Sequence, residues 1–309
     1  MRVFITGASG WIGSAVVPEL IGAGHQVVGL ARSDASAEAL AAAGAEVRRG
    51  SLDDLDVLRE AAAGADGVLH LAFKHDIAFS GDFQGATDAD RKAIDAFGYA
   101  LAGSGKPFVI ASGLLGLAPG RVATEEDGQS ADPDAPAGGP GGRQDNARAT
   151  IALASRDVRS SVVRLPPTVH GDGDRGFVAS LVATARAKGV SGYVGDGSQR
   201  WPAAHREDAA HLFRLALEQA PAGSTLHAAA EEGVVLRSVA ETIGRHLGVP
   251  TASVAPEDAP GHFGRLAGMV SLDSPAAGTL TRERFGWQPA GPGLIEDLDQ
   301  GHYFGAPGA

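Results

Sequence analysis

Short apolar runs alternate with segments of helical spacing through the first half of the chain. The runs at 2–6, 26–30, 67–72, 107–112 and 160–165 are largely apolar, the pattern of strands buried on both faces, and 45–49, more charged, is a further expected strand. Between them, 10–22, 35–43, 54–63, 86–103 and 144–156 repeat apolar residues every three or four positions, as one face of a helix requires. In the first of these, Trp11, Ile12, Val16, Val17, Leu20 and Ile21 fall on one side. Strands separated by helices predict an α/β fold with a doubly wound parallel sheet. Such sheets take their ligands at the carboxyl ends of the strands.

The rhythm changes after residue 166. Pro166-Pro167 and Gly171-Asp172-Gly173-Asp174 mark an exit from the sheet, followed by a helix near 175–188 and a strand at 190–194. A helix at 207–219 and a strand at 225–229 are expected to return to the main unit, and a further helix covers 236–247. The expected division is therefore 1–170, completed by about 207–230, and a smaller, discontinuous substrate-binding region over 171–309. The stretch 118–142 is rich in Ala, Pro, Gly and Asp. It reads as a disordered surface loop or a lid over the site.

Composition narrows the partners. With 309 residues, 44% hydrophobic and 20% charged, the chain can bury a substantial core. A net charge of −11 argues against nucleic acid or an anionic membrane surface. An anionic ligand must then be held by local features such as helix N-termini and single arginines. The absence of cysteine excludes disulfides, thiolate nucleophiles and cysteine-ligated zinc. A cytoplasmic location is expected. No apolar stretch is long enough to span a membrane, the amino terminus is not a secretory signal, and no metal site is legible among the ten histidines.

The first strand runs directly into Gly7-Ala8-Ser9-Gly10-Trp11-Ile12-Gly13. In this context the first glycine allows a tight turn, the second lets the backbone approach a pyrophosphate, and the third lets the helix pack closely. Unpaired N–H groups at the helix start then face the phosphates. The second strand ends in Leu30-Ala31-Arg32-Ser33-Asp34. Arg32 is placed to grip a ribose 2′-phosphate, with Ser33 as a second donor. The competing reading gives the ribose 2′-hydroxyl to Asp34. NADP is expected ahead of NAD.

Several segments together resemble the extended short-chain dehydrogenase/reductase family, the NAD-dependent epimerase/dehydratase group. They are Thr6-Gly-Ala-Ser-Gly-Trp-Ile-Gly13, Val68-Leu-His-Leu-Ala72, Arg164-Leu-Pro-Pro-Thr-Val-His-Gly171, Gly195-Asp-Gly197 with His205-Arg-Glu-Asp-Ala209, and Phe285-Gly-Trp-Gln-Pro289. The resemblance implies a Rossmann fold, with Leu52 beside the adenine, Leu71, Ala72 and Phe73 against the cofactor, and Pro166 by the nicotinamide. It also implies a Tyr-x-x-x-Lys pair, which this chain lacks. None of Tyr99, Tyr193 and Tyr303 has a lysine four places on. Counting back from Arg164 sets Arg143 near the lysine position and Gly139 near that of the tyrosine. Arg143 can bond ribose hydroxyls, but a guanidinium relays protons poorly.

Ser112 stands near the family's catalytic hydroxyl, although Gly113 fits that position equally, and Ser112 can also simply tie a strand end to a loop. The remaining proton-donor candidates are His75, His170 and Tyr193, besides water or the substrate itself. Lys74, His75, His170 and Arg200 are candidate substrate contacts, and Trp201 reads as a packing anchor. Asp53-Asp54 reads as a helix cap. Glu125-Glu126-Asp127 falls in the polar loop, where Thr124-Glu125 resembles a family position near the substrate. The expected activity is NADP-dependent oxidoreduction of a small carbonyl or hydroxyl compound with an unorthodox proton donor. The alternatives are an epimerase or dehydratase, or a nucleotide sensor without turnover. Family members often dimerise through two helices, here 86–103 and 144–156, so a homodimer is expected.

Overall fold

The computed structural model describes residues 1–129 and 140–305. Its strands are β1 (Arg2–Thr6), β2 (Gln26–Ala31), β3 (Glu46–Arg49), β4 (Gly67–His70), β5 (Pro107–Gly113), β6 (Arg159–Leu165), β7 (Thr168–His170), β8 (Ser191–Val194), β9 (Arg200–His205), β10 (Ser224–His227), β11 (Glu231–Val235) and β12 (Thr251–Val254). The helices of the first half are α1 (Gly13–Gly22), α2 (Asp34–Ala42), α3 (Leu55–Ala63), α4 (His75–Phe79), α5 (Phe83–Leu101) and α6 (Pro140–Ala152). They are followed by α7 (Phe177–Lys188), α8 (Arg206–Gln219), α9 (Leu236–Leu247), α10 (Ala259–Phe263), α11 (Ala267–Val270), α12 (Thr279–Phe285) and α13 (Leu294–Asp299).

Seven strands form one parallel sheet in the order β10-β6-β5-β4-β1-β2-β3. The chain moves outward from β1 to β3, then crosses back to β4, so the strand order reverses between β1 and β4. That reversal opens the crevice in which doubly wound sheets bind ligands. Alternate residues of a strand point to opposite faces, and the core divides accordingly. Val3, Ile5, Val109 and Val163 pack with α1 and α8. Phe4, Phe108, Ile110 and Val162 pack with α3, α5 and α6. Burying each such side chain contributes about 1.5–3 kcal/mol, which is why this sheet forms the rigid base of the site. A second, smaller region is built from the sheet β11-β9-β7 and the pair β12-β8.

Several boundaries differ from expectation for physical reasons. Helix α1 starts at Gly13, not residue 10, because the glycine turn occupies the positions before it; Trp11 and Ile12 therefore lie in the turn. Strand β4 ends at His70, since beyond it the chain bends against Gly7. The short strands β7, β9, β11 and β12 carry too mixed a pattern to read as strands in sequence. Residues 118–129 are not a loose loop. Ala123 bonds to Pro275 and Ala277 through its backbone, and Glu125 is buried. Residues 130–139, including the position matched to the family tyrosine, lie outside the described residues. Among the described residues, no helix is long and apolar enough to cross a membrane.

Candidate functional site

The three glycines of the first turn are crowded to different degrees. Gly7 sits at φ +69°, and a Cβ there would lie 2.7 Å from the Ala72 nitrogen. At Gly13 a Cβ would lie 2.2 Å from the Gly7 carbonyl oxygen and 2.6 Å from Ala8. At Gly10 a Cβ would meet only the Gly7 oxygen, at 3.1 Å. The protein itself thus requires glycine at 7 and 13. The bare face of Gly10 is left as a cradle, the shape a pyrophosphate needs. No side chain caps the first turn of α1; the Ser14 and Ala15 N–H groups bond to the Gly10 and Ile12 carbonyls, so those of residues 11–13 are the ones that would meet an anion. Ala8 is buried and Ser9 exposed on the two sides of the turn. Trp11 Nε1 donates to the Val169 carbonyl at 2.9 Å, with the Arg206 guanidinium stacked 4.4 Å from its ring. This contact ties the smaller region to the cradle.

At the end of β2, Ser33 is the N-cap of α2: its Oγ accepts from the Ser36 nitrogen and donates to Ser36 Oγ at 3.0 Å. Arg32 is exposed, with Asp76 its nearest carboxylate at 3.8 Å. Arg49 reaches the same turn from β3 and pairs with Asp34, a contact the sequence reading missed. Leu52 is buried close by. The expected cap at Asp53-Asp54 is not made. Asp54 instead accepts from the backbone and hydroxyl of Ser51, which hold its carboxyl below the usual range, and Asp53 pairs with Lys74.

Beneath the cradle runs a buried polar chain. Thr6 Oγ1 lies 2.6 Å from His70 Nδ1, and His70 Nε2 lies 3.0 Å from Asp90 on α5. Asn146 on α6 donates to the other Asp90 oxygen at 2.8 Å. Burial works to raise the Asp90 pKa, but the bonds from His70 and Asn146, with Arg143 nearby, outweigh it and hold the carboxyl ionised. The chain links the start of the glycine turn to the helix carrying Arg143.

Arg143 occupies the first turn of α6. Its Nη2 donates to the Ala111 carbonyl at 2.7 Å, and its guanidinium lies 4.3 Å from the centre of the Phe73 ring. It therefore spans the carboxyl ends of β4 and β5. Burial lowers its pKa, and the charge of Asp90 opposes that. Phe108 and Ile110 face α5 and α6, so Ser112, two residues on, shares that face with Arg143. Its Oγ is buried without a partner. His75 packs edge-on to Phe73. Burial first, and then the charge of Arg143, push its pKa down.

The structure thus gathers the glycine turn, Leu71, Ala72, Phe73, Ser112 and Arg143 around one crevice, with His75 at its edge and Pro166 buried just beyond β6. Other candidates are placed elsewhere. Lys74 is engaged by both Asp53 oxygens. His170 is 0% exposed and lies 2.9 Å from Asp297. Tyr193 stands on β8 in the smaller region, beneath Arg237. Arg200 is locked to Asp273, and Trp201 is buried, as an anchor should be. Glu125 does not face a loop surface: its Oε1 accepts from the Thr281 nitrogen and hydroxyl, both at 2.7 Å. Among the described residues, no group of His, Asp and Glu is arranged to hold a metal.

Comparisons with known proteins agree with this fold. A family model described as NAD(P)H-binding matches residues 7–122. The chain is 44% identical over 304 residues to the uncharacterized protein C2A9.02 of Schizosaccharomyces pombe, covering 98% of this chain and 100% of that one. It is 28% identical over 244 residues to a 4-hydroxy-2-methyl-3-oxo-4-farnesyl-3,4-dihydroquinoline-1-oxide ketoreductase of Stigmatella aurantiaca, covering 77% of this chain and 71% of that one. The fold superimposes on a Thermotoga maritima UDP-glucose 4-epimerase with a TM-score of 0.76, at 19% identity and 98% coverage of both chains.

Proposed function

Because the chain belongs to the extended short-chain dehydrogenase/reductase family, we propose that it is an NADP-dependent oxidoreductase of a small carbonyl or hydroxyl compound. The observation that carries this reading is the convergence of the glycine cradle with Ser112 and Arg143 at one end of the sheet. The cradle fits a pyrophosphate, since Gly10 carries no side chain there and a Cβ would meet far less of the protein than at Gly7 or Gly13, only the Gly7 oxygen at 3.1 Å. Residues 7–13 would hold the diphosphate, Arg32 the 2′-phosphate, and Leu52 the adenine. Ala72, Phe73 and Pro166 would flank the nicotinamide. When bound, NADPH supplies a hydride to the carbonyl carbon.

The chain's own contribution is orientation and charge. Arg143 uses one N–H on Ala111, and its remaining donors would stabilise the oxygen as negative charge develops there. Ser112 would add a hydroxyl donor from the neighbouring strand end. Neither Arg143 nor His75 suits the role of proton donor. A guanidinium holds its protons, and a histidine pushed below its ordinary range is already deprotonated near neutrality. Water then supplies the proton that completes the alcohol.

The test mixes purified protein with NADPH and a panel of aldehydes and ketones, following the nicotinamide absorbance. Net oxidation of NADPH is expected with at least one carbonyl. Arg143→Ala should lower kcat/KM at least tenfold, about 1.4 kcal/mol of lost transition-state stabilisation. Tight NADPH binding with no turnover would replace this reading with a nucleotide sensor, which the missing Tyr-x-x-x-Lys pair favours. Substrate conversion without net NADPH use would replace it with an epimerase.

A further inference from the structure

Asp34 is the residue a ribose would meet in a chain built for NAD, a carboxylate just past the second strand. In this structure it is not free. Arg49 ends β3 directly opposite Ala31 in the β2–β3 ladder, so its long side chain reaches across the end of β2. Its Nη1 donates to the Ser33 carbonyl at 2.6 Å and its Nη2 to Asp34 Oδ1 at 2.7 Å. One guanidinium thus grips the turn and neutralises its only carboxylate. Arg32 flanks the same turn with its side chain 73% exposed, and at 3.8 Å Asp76 is too far to hydrogen-bond it. Arg32 in the turn and Arg49 beside it thus stand with the Ser33 and Ser36 hydroxyls against Asp34 and the more distant Asp76. In a chain whose net charge is −11, this pairing of two guanidinium groups at one exposed turn is what a phosphate dianion needs, and a ribose hydroxyl does not.

We propose that Arg49 is a specificity-determining residue for the dinucleotide. It withholds Asp34 from the ribose, and it joins Arg32 in pairing with the 2′-phosphate. The inference rests on the reading of the chain as NADP-dependent. An exposed ion pair is weak, and the Arg49 side chain is 51% exposed in its pair with Asp34. Arg49 can therefore turn its free N–H groups to a phosphate while still shielding the carboxylate. Without Arg49, the bare charge of Asp34 would face the phosphate and repel it.

Titration calorimetry of NADPH and NADH against the wild type, Arg49→Ala and Arg49→Ala/Asp34→Ala tests this directly. The wild type should prefer NADPH. Arg49→Ala should lose about 10- to 100-fold in NADPH affinity, the range of a charge-assisted hydrogen bond, with NADH unchanged or tighter. Removing Asp34 as well should recover part of the NADPH loss. Equal losses for both nucleotides, or no loss for either, would overturn the role of Arg49 while leaving a wild-type preference for NADPH intact. A wild type that binds NADH as tightly as NADPH would overturn the NADP reading, and the proposal with it. Should Arg49→Ala not fold, Arg49→Lys carries the same test. It keeps the charge but loses the planar fork, so a several-fold loss confined to NADPH is expected, and an unchanged ratio counts against the proposal.

Discussion

The glycines of the first turn have separable roles, and substitution should split them. A methyl at Gly13 would press on the backbone of Gly7 and Ala8, which cannot move without shifting the turn. Gly13→Ala is expected to destabilise the fold by roughly 1–3 kcal/mol, the usual cost of overpacking, measured by urea unfolding. Gly10→Ala brings a methyl 3.1 Å from one atom, the Gly7 carbonyl oxygen, against three atoms at 2.2–2.6 Å for Gly13, so it should cost less stability than Gly13→Ala and weaken both nucleotides. If Gly10→Ala binds NADPH like the wild type, the cradle is not where the pyrophosphate lies.

Among the elements, the segment 114–129 is the least expected. Sequence composition marks 118–142 as loose, yet 114–129 is strapped to the carboxyl-terminal part by Gly116 on Ser274, Ala123 on Pro275, and Glu125 on Thr281. A carboxylate buried beside α12 must keep its partners, because an unsatisfied buried acceptor costs about 1–3 kcal/mol, more when charged. Thr281→Val removes the hydroxyl but keeps the shape and the backbone donor. A loss of about 1–3 kcal/mol in chemical denaturation is expected. Faster proteolysis within 114–129 should accompany it, and a variant as resistant as the wild type would show that the strap is held elsewhere.

For the molecule as a whole, histidines held below their ordinary range, His227 foremost, set the response to acid. His227 lies between the segment 114–129 and the carboxyl-terminal part. Its Nδ1 gives a hydrogen to the Ala277 carbonyl, and its Nε2 lies 3.3 Å from Arg164 Nη1. Burial, and then the charge of Arg164, pull its pKa from 6.5 down to about 4. Burial also lowers His75, His205 and His262. The unfolded chain therefore takes up more protons as pH falls below 6.5, and the folded state loses stability between that value and about 4. Asp174, pushed up by burial, works in the opposite direction at the acid end. The melting temperature should drop on the order of 5 °C from pH 7 to pH 5. His227→Gln should melt lower at pH 7 yet show a shallower drop, and an unchanged slope would assign the acid response to the other histidines.

The alternation of strands and helices in the first half, the parallel sheet and the glycine turn were legible in the sequence. Each is encoded by apolar periodicity and turn chemistry within a short window, where the chain's own neighbours decide the conformation. Which polar residues meet was decided by the tertiary structure alone. His70 joins Thr6 to Asp90, Arg49 finds Asp34, and Glu125 finds Thr281 156 residues away. Such partners share no local pattern, because they come together only when the sheet stacks its strand ends and the carboxyl-terminal part closes over them. The same closure buries His170 against Asp297, since a polar side chain taken out of water must bond to whatever the fold sets beside it.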